Sequence, residues 1–204
     1  MALREIELPR IQGPLPKEVA TLLAEAQIEG DHFHYANRDH PISGFVASDY
    51  RQVFFALEHL KQTGLLRGRC FCEWGSGLAV VAGLAASHGF LSYGIEVEQL
   101  LVDASVKLLQ RHQLDVVIAC GSFIADSINI PELNHQEMSW IDLEADSGYP
   151  LIDLEPSDVD LFFVYPWPGE DRFVQELFEQ CASTGAMLLA YLGADELACW
   201  QKTS

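Results

Sequence analysis

The chain has 204 residues, with 30 Asp and Glu against 12 Lys and Arg, and a formal net charge of −18. This balance disfavours nucleic acid as a partner, because phosphate binding depends on Lys and Arg, and favours a small molecule or a basic protein segment. No apolar run reaches 18 residues, which argues against a membrane span. Five cysteines without a disulfide-like spacing favour a reducing, cytoplasmic location.

Residues 1–44 are predicted to form an N-terminal helical extension. Residues 1–16 contain three prolines and predict an extended arm. Apolar residues at helical spacing predict a helix over residues 17–28, and Gly30 is expected to end it. The polar stretch that follows carries His32, His34 and His40, whose spacing is not that of metal ligands, so no metal site is predicted.

Residues 45–204 are predicted to form one domain in which helices and strands alternate. Its first helix is expected to begin after a cap at Ser48 or Asp49 and to end at Gly64. Later strands are predicted at 69–73, 90–95, 116–120, 159–165 and 186–192, with helices at 78–87, 97–111 and 170–182. This alternation predicts an α/β fold with an open, mostly parallel, doubly wound sheet.

A glycine turn follows the first of these strands and carries the most specific motif. Glu73, Gly75 and Gly77 form an acid-x-Gly-x-Gly sequence, and the next strand ends at Glu96, 21 residues after Gly75. This layout is typical of adenosine-binding βαβ units. The third glycine of a dinucleotide fingerprint is replaced by Val80. The negative charge of Glu73 suits an ammonium or sulfonium better than a pyrophosphate.

These residues resemble the class I S-adenosylmethionine-dependent methyltransferases, over roughly residues 45–192. The resemblance implies S-adenosyl-L-methionine as the cofactor, with Glu73 facing its methionine amino end and Glu96 binding both ribose hydroxyls. Glu98 is the alternative to Glu96, although its position favours a helix start. Gly75, Ser76 and Gly77 would pack against the cofactor, and the next helix would offer N–H groups to the cofactor carboxylate.

The resemblance also assigns the adenine end of the site. At the end of the third strand the family commonly places an acid that contacts the adenine amino group, and here Ser122 occupies that position. A serine hydroxyl makes a weaker hydrogen bond than a carboxylate. Phe123 would either stack on the adenine ring or belong to the core.

The acceptor side is predicted at Tyr165, Pro166 and Trp167. They occupy the place of the Asn/Asp-Pro-Pro-aromatic motif of amino-group methyltransferases, with Tyr165 replacing the leading amide or acid. The segment therefore predicts an aromatic wall for a cationic or flat apolar acceptor, unless Trp167 packs against the N-terminal helix. The preceding connection, residues 126–160, holds ten acids and no Lys or Arg.

Together these features predict an enzyme that transfers a methyl group from S-adenosylmethionine to a neutral or cationic acceptor. The alternative is a non-catalytic cofactor-binding or scaffold module with a degenerate methyltransferase fold. Ser122, Tyr165 and a shortened C-terminal end favour this alternative. Little chain follows the fifth strand, so the hairpin usual in the family is predicted to shrink to one strand near residues 198–202. No motif predicts a catalytic residue or an oligomeric state.

Overall fold

The computed structural model describes residues 3–36, 46–128, 145–194 and 196–203. Its strands are β1 (Leu3–Glu5), β2 (Cys70–Trp74), β3 (Leu91–Glu96), β4 (Val116–Cys120), β5 (Leu161–Val164), β6 (Met187–Gly193) and β7 (Glu196–Lys202). Its α-helices are α1 (Lys17–Ala36), α2 (Tyr50–Thr63), α3 (Val80–Ser87), α4 (Gln99–Arg111) and α5 (Asp171–Cys181). Two 3₁₀ turns, Tyr149–Ile152 and Pro156–Asp158, precede β5.

The seven strands form one open sheet in the order β1-β7-β6-β5-β2-β3-β4. Strand β2 lies at its centre and pairs in parallel with β3 and β5, and the parallel pairs β3–β4 and β5–β6 extend the sheet on both sides. Only β7 runs against its neighbours, pairing antiparallel with β6 and β1. The predicted open, mostly parallel α/β sheet is confirmed.

The hydrophobic core has two parts, one on each face of the sheet. Helices α1, α2 and α3 cover one face, where Phe71, Phe163 and Leu189 are buried. Helix α5 covers the other face, over Trp74 and Phe162. Because successive side chains of a strand point to opposite faces, the buried strands contribute apolar residues to both parts. None of the described helices combines the length and apolar character needed to cross a membrane.

Of the N-terminal predictions, the extended arm missed a strand, and the end of the helix is wrong. The arm contains strand β1, whose residues 3–5 pair antiparallel with residues 200–202 of β7. Helix α1 does not end at Gly30 but continues to Ala36. An interior glycine costs a helix only about 1 kcal/mol relative to alanine, and Phe33, beyond Gly30, packs against the core. Tertiary packing therefore outweighs the local stop signal.

The C-terminal prediction is confirmed. A single strand, β7, follows β6 and returns antiparallel to it, with a register irregularity between Tyr191 and Gly193. Strand β1 occupies the edge beyond β7. The short C-terminal end is thus completed by a strand from the other end of the described chain.

Candidate functional site: the carboxyl edge of the sheet

The predicted site residues follow strands that run parallel to one another. Glu73 and Glu96 lie at the ends of β2 and β3, Ser122 follows β4, and Tyr165 follows β5. Since the carboxyl ends of parallel strands meet at one edge, these residues share that edge, where open α/β sheets bind ligands. The structure therefore assembles the segments that the sequence assigns to cofactor and acceptor.

The glycine turn adopts backbone conformations that L side chains rarely take. The φ angles of Gly75, Gly77 and Ala79 are +64°, +54° and +52°. Two backbone hydrogen bonds hold the turn. The Ser76 N–H donates to the Ile95 carbonyl over 3.0 Å, and the Ala79 N–H donates to the Ser76 carbonyl over 2.6 Å. A Cβ built on Gly75 would meet no atom within 4 Å. The turn consequently borders open space on the Gly75 side.

Glu96 connects the end of β3 to this turn. Glu96 is 7% exposed, and its carboxylate accepts the Gly77 N–H over 2.7 Å on Oε2 and the Glu98 N–H over 3.0 Å on Oε1. Burial raises the pKa of Glu96, and these backbone N–H groups oppose that rise. Glu98 is exposed and occupies the N-cap position of α4 without a side-chain capping hydrogen bond, which agrees with its prediction as a helix-start residue. Of the two acids, Glu96 is the one positioned against the turn.

Glu73 is buried at the end of β2 beneath the start of α3. Its Oε2 accepts the Ala82 N–H over 2.7 Å, so it takes one of the helix N–H groups that the sequence analysis assigned to the cofactor carboxylate. Burial is the main cause that raises the pKa of Glu73 to about 8, and the charge of Glu96 adds to the rise. Ala79, at the N-cap position of α3, makes no side-chain cap. Glu73 fulfils that role from the neighbouring strand.

Ser76 is buried and turned toward β3. A Cβ built on Gly94 would lie 2.9 Å from the Ser76 Oγ, so this strand position requires glycine. Within the described part of the chain, the Ser76 hydroxyl has no hydrogen-bond partner. Ser76 therefore packs the turn onto β3, which maintains the position of Gly75 and Gly77.

Ser122 and Phe123 both have partners within the protein. The Ser122 Oγ accepts the Ile124 N–H over 3.2 Å, and Ser122 is 3% exposed. Phe123 stacks on Trp74 with ring centroids 5.3 Å apart and planes at 14°. Trp74 is itself buried and donates its indole N–H to the Tyr149 hydroxyl over 2.7 Å. One face of the Phe123 ring therefore packs against the core residue Trp74.

The structure brings Asp146 to this end of the site, which the sequence analysis did not anticipate. The Asp146 carbonyl accepts the Ser122 N–H over 2.8 Å, and Ser147 forms a parallel bridge with Ser122. Asp146 is exposed. Asp146 and Ser122 are 24 residues apart in the chain, so no local sequence pattern predicts that they are neighbours. The backbone of Asp146 therefore lies beside Ser122 at the end of β4.

The predicted acceptor segment follows β5 directly. Pro166 is buried, and Tyr165 and Trp167 are half-buried. The Tyr165 ring packs edge-on against Tyr191, with centroids 4.9 Å apart, and burial raises the pKa of its hydroxyl. The acid-rich connection before β5 lies partly outside the described residues, at 129–144.

Glu170 is a buried acid that sequence reasoning missed. It is 6% exposed, and its Oε2 accepts the Trp167 N–H over 3.3 Å, while its own N–H donates to the Trp167 carbonyl over 2.9 Å. These contacts close a turn between β5 and α5. An acid at a helix start is ordinarily an exposed capping residue, so nothing in the sequence distinguished Glu170.

The three histidines of the N-terminal region lie only partly within the described residues. His32 and His34 lie on α1, and His40 falls outside the described residues. Across residues 3–36, 46–128, 145–194 and 196–203, no three His, Cys, Asp or Glu side chains are grouped as metal ligands.

Neither the known sequence families nor the curated proteins contain a match to this chain. Its structure is similar to a methyltransferase from Geobacter sulfurreducens, with a TM-score of 0.53, 13% identity, and coverage of 94% of this chain and 93% of the other. The fold is that of a methyltransferase. An O-methyltransferase from Bacillus cereus in complex with SAH and a putative O-methyltransferase from Klebsiella pneumoniae each give a TM-score of 0.51 at 14% identity. Those matches cover 87% of this chain and 66% of the other.

Proposed function

We propose that this protein is an S-adenosylmethionine-dependent methyltransferase. The observation that carries the proposal is the pairing of two buried acids, Glu73 and Glu96, with a glycine turn that borders open space. A cofactor with an ammonium, a sulfonium and a ribose diol suits these acids. A dinucleotide pyrophosphate would be repelled by them. The methyltransferase fold supports the same choice.

The residues of the turn and the strand ends would hold the cofactor. Glu96, already fixed by the Gly77 N–H, would accept the ribose hydroxyls. Glu73, whose pKa is raised to about 8 in the ligand-free protein, would lose its proton beside the cationic methionine end, because an adjacent positive charge favours the carboxylate. Gly75, Ser76 and Gly77 would form the wall against which the cofactor packs. Ser122, Phe123 and Asp146 would surround the adenine.

The bound cofactor supplies an electrophilic methyl group on a sulfonium. The protein's part is to hold the acceptor in line with that methyl group, and complete alignment contributes up to ~7–11 kcal/mol to catalysis. Tyr165, Pro166 and Trp167 would line the acceptor side. The net charge of −18 favours a neutral or cationic acceptor over nucleic acid. Tight RNA or DNA binding at physiological salt would contradict this choice of acceptor.

Calorimetry with S-adenosylmethionine, S-adenosylhomocysteine and NAD tests the cofactor assignment. We expect the first two to bind, and binding of NAD alone would refute the proposal. Release of S-adenosylhomocysteine in the presence of metabolite and basic-peptide pools then tests turnover. Tight cofactor binding without any release would favour the non-catalytic module.

A further inference from the structure

A solvent-accessible cavity lies at the edge of the sheet opposite the proposed cofactor site. It has a volume of about 350 Å³ and is bounded by the carboxyl ends of α2 and α3, the connection into β2 and the start of β3. Small-molecule sites have volumes of roughly 300–1,000 Å³. Lys61, Gly64 and Arg69 line this amino-edge cavity and are exposed, so a dissolved molecule can reach it.

One wall of the amino-edge cavity is apolar. Phe90, just before β3, is 5% exposed and packs against Phe71, with ring centroids 6.2 Å apart. Leu66 also lines the cavity and packs against the same core. Gly64 adds no side chain, and a Cβ built there would meet no atom within 4 Å. An apolar group that enters the cavity would therefore remove the surfaces of Phe90 and Leu66 from water.

Two cationic side chains lie beside this apolar wall. Lys61 donates to the His88 carbonyl at the end of α3, which offsets the partial negative charge of that helix end and uses one of the three ammonium donors. Arg69 belongs to the connection into β2. No carboxylate of the described residues forms an ion pair with Lys61 or Arg69. The guanidinium of Arg69 is thus available to an anion.

The acids near the amino-edge cavity do not cancel this charge. Asp160 lies against Gly68, but its carboxylate is already paired with Arg67 over 3.3 Å. Glu58 acts on His88, whose pKa it raises, although burial is the larger effect and lowers that pKa overall. The His88 ring is therefore uncharged near pH 7 and adds neither a positive nor a negative charge to the cavity.

We propose that the amino-edge cavity binds a small organic carboxylate. Its charged end would pair with Arg69 and Lys61, because the forked donors of a guanidinium match the two oxygens of a carboxylate. Its apolar body would pack against Phe90 and Leu66. A cationic ligand would be repelled by Arg69, and an inorganic anion would leave the apolar wall in water. The proposal does not depend on the methyltransferase function, since the cavity lies at the other edge of the sheet.

Sodium benzoate is the probe for a direct binding test on the full chain. The protein is titrated near pH 7 and at constant ionic strength, and the NMR signals of the Gly64 and Gly68 backbone amides, both in the cavity wall, are followed. We expect a saturable shift with benzoate. Sodium acetate, which lacks the ring, and benzylammonium chloride, which carries the opposite charge, should produce none. The absence of a saturable shift with benzoate, or equal binding of benzylammonium, would overturn the proposal.

Arg69→Gln removes the charge of the side chain that has no ion-pair partner among the described residues. We expect this variant to bind benzoate about tenfold more weakly or worse, the scale of a hydrogen bond between charged groups. Lys107→Gln is the matched control, because it removes one positive charge from an exposed position on α4 and should leave the titration unchanged. Equal benzoate affinities for Arg69→Gln and the wild type would contradict the proposed ion pair.

A second measurement uses the wild-type protein and does not depend on the folding of a variant. Nuclear Overhauser effects between the benzoate ring protons and the Phe90 side chain should appear when benzoate is bound. If the ring protons instead contact residues outside the amino-edge cavity, benzoate binds elsewhere and the proposal is wrong.

Discussion

The Glu96 carboxylate accepts the Gly77 N–H over 2.7 Å, so the acid that ends β3 holds the turn that follows β2. The contact joins two elements that are 19 residues apart in the chain. An acid that must hold a ligand is most effective when its own orientation is fixed beforehand. Glu96 therefore serves both the shape of the turn and the proposed ribose contact.

Glu96→Ala is expected to weaken S-adenosylhomocysteine binding by roughly 1.5–3 kcal/mol, the scale of charge-assisted hydrogen bonds. Calorimetry on folded protein gives the affinity. Glu98→Ala is the matched control, because Glu98 is an exposed acid two residues away and should change affinity little. An unchanged affinity in Glu96→Ala, with a loss in Glu98→Ala, would move the ribose contact to Glu98.

Gly75→Ala is expected to lower cofactor affinity more than it lowers stability. Gly75 has φ +64° with open space around a Cβ, so alanine costs about 1–2 kcal/mol of backbone strain but meets no protein atom. Gly64, at the end of α2, has φ +70° and equally open space, which makes Gly64→Ala a matched control for strain. Chemical unfolding should give similar losses for both variants, and calorimetry should give weaker binding for Gly75→Ala only. Unaltered binding by Gly75→Ala would show that no ligand packs there.

Glu73 is expected to make the protein less stable as pH rises. Its pKa is raised to about 8 in the folded protein, from 4.5 for an unperturbed Glu. The folded state therefore disfavours its ionisation, and stability due to this group is present below pH 4.5 and is lost as pH rises toward about 8. Urea unfolding across this range should show a flatter pH dependence for Glu73→Gln, whose amide can still accept the Ala82 N–H. If the free energy of unfolding depends on pH in the same way for the variant and the wild type, the pKa of Glu73 is not raised.

Asp146 and Ser122 are expected to differ in their contribution to the adenine end. The Ser122 hydroxyl already accepts the Ile124 N–H, whereas Asp146 is exposed beside it. Asp146→Asn should therefore weaken S-adenosylhomocysteine binding more than Ser122→Ala does, as measured by calorimetry on both variants. If only Ser122→Ala weakens binding, the serine replaces the family acid directly.

Local signals in the sequence predicted the helix before β2 well. The Asp49 side chain accepts the N–H groups of Arg51 and Gln52, and Gly64 takes the left-handed conformation after the helix. Both features depend on residues adjacent in the chain. The strands of the sheet were predicted for a related reason, since an apolar run covered on both faces is visible in any short window.

Features that depend on distant parts of the chain were not predicted. Strand β1 has three residues, too few for a pattern, and exists because β7 offers it an edge. The continuation of α1 past Gly30 follows from packing of Phe33. The burial of Glu170 and the approach of Asp146 to Ser122 arise from the path of the chain after β4 and β5. Contacts between distant parts of the chain produce no periodic pattern in the sequence, so they cannot be predicted from it.

The central position of β2 also determines how the protein opens. With parallel partners on both sides, the amides of Glu73 and Trp74 belong to the part of the sheet that local fluctuations do not reach. Their hydrogen exchange should therefore proceed only through global unfolding and be among the slowest in the chain. The glycine turn is attached to this rigid strand, so a ligand that binds there gains affinity because little chain has to be ordered.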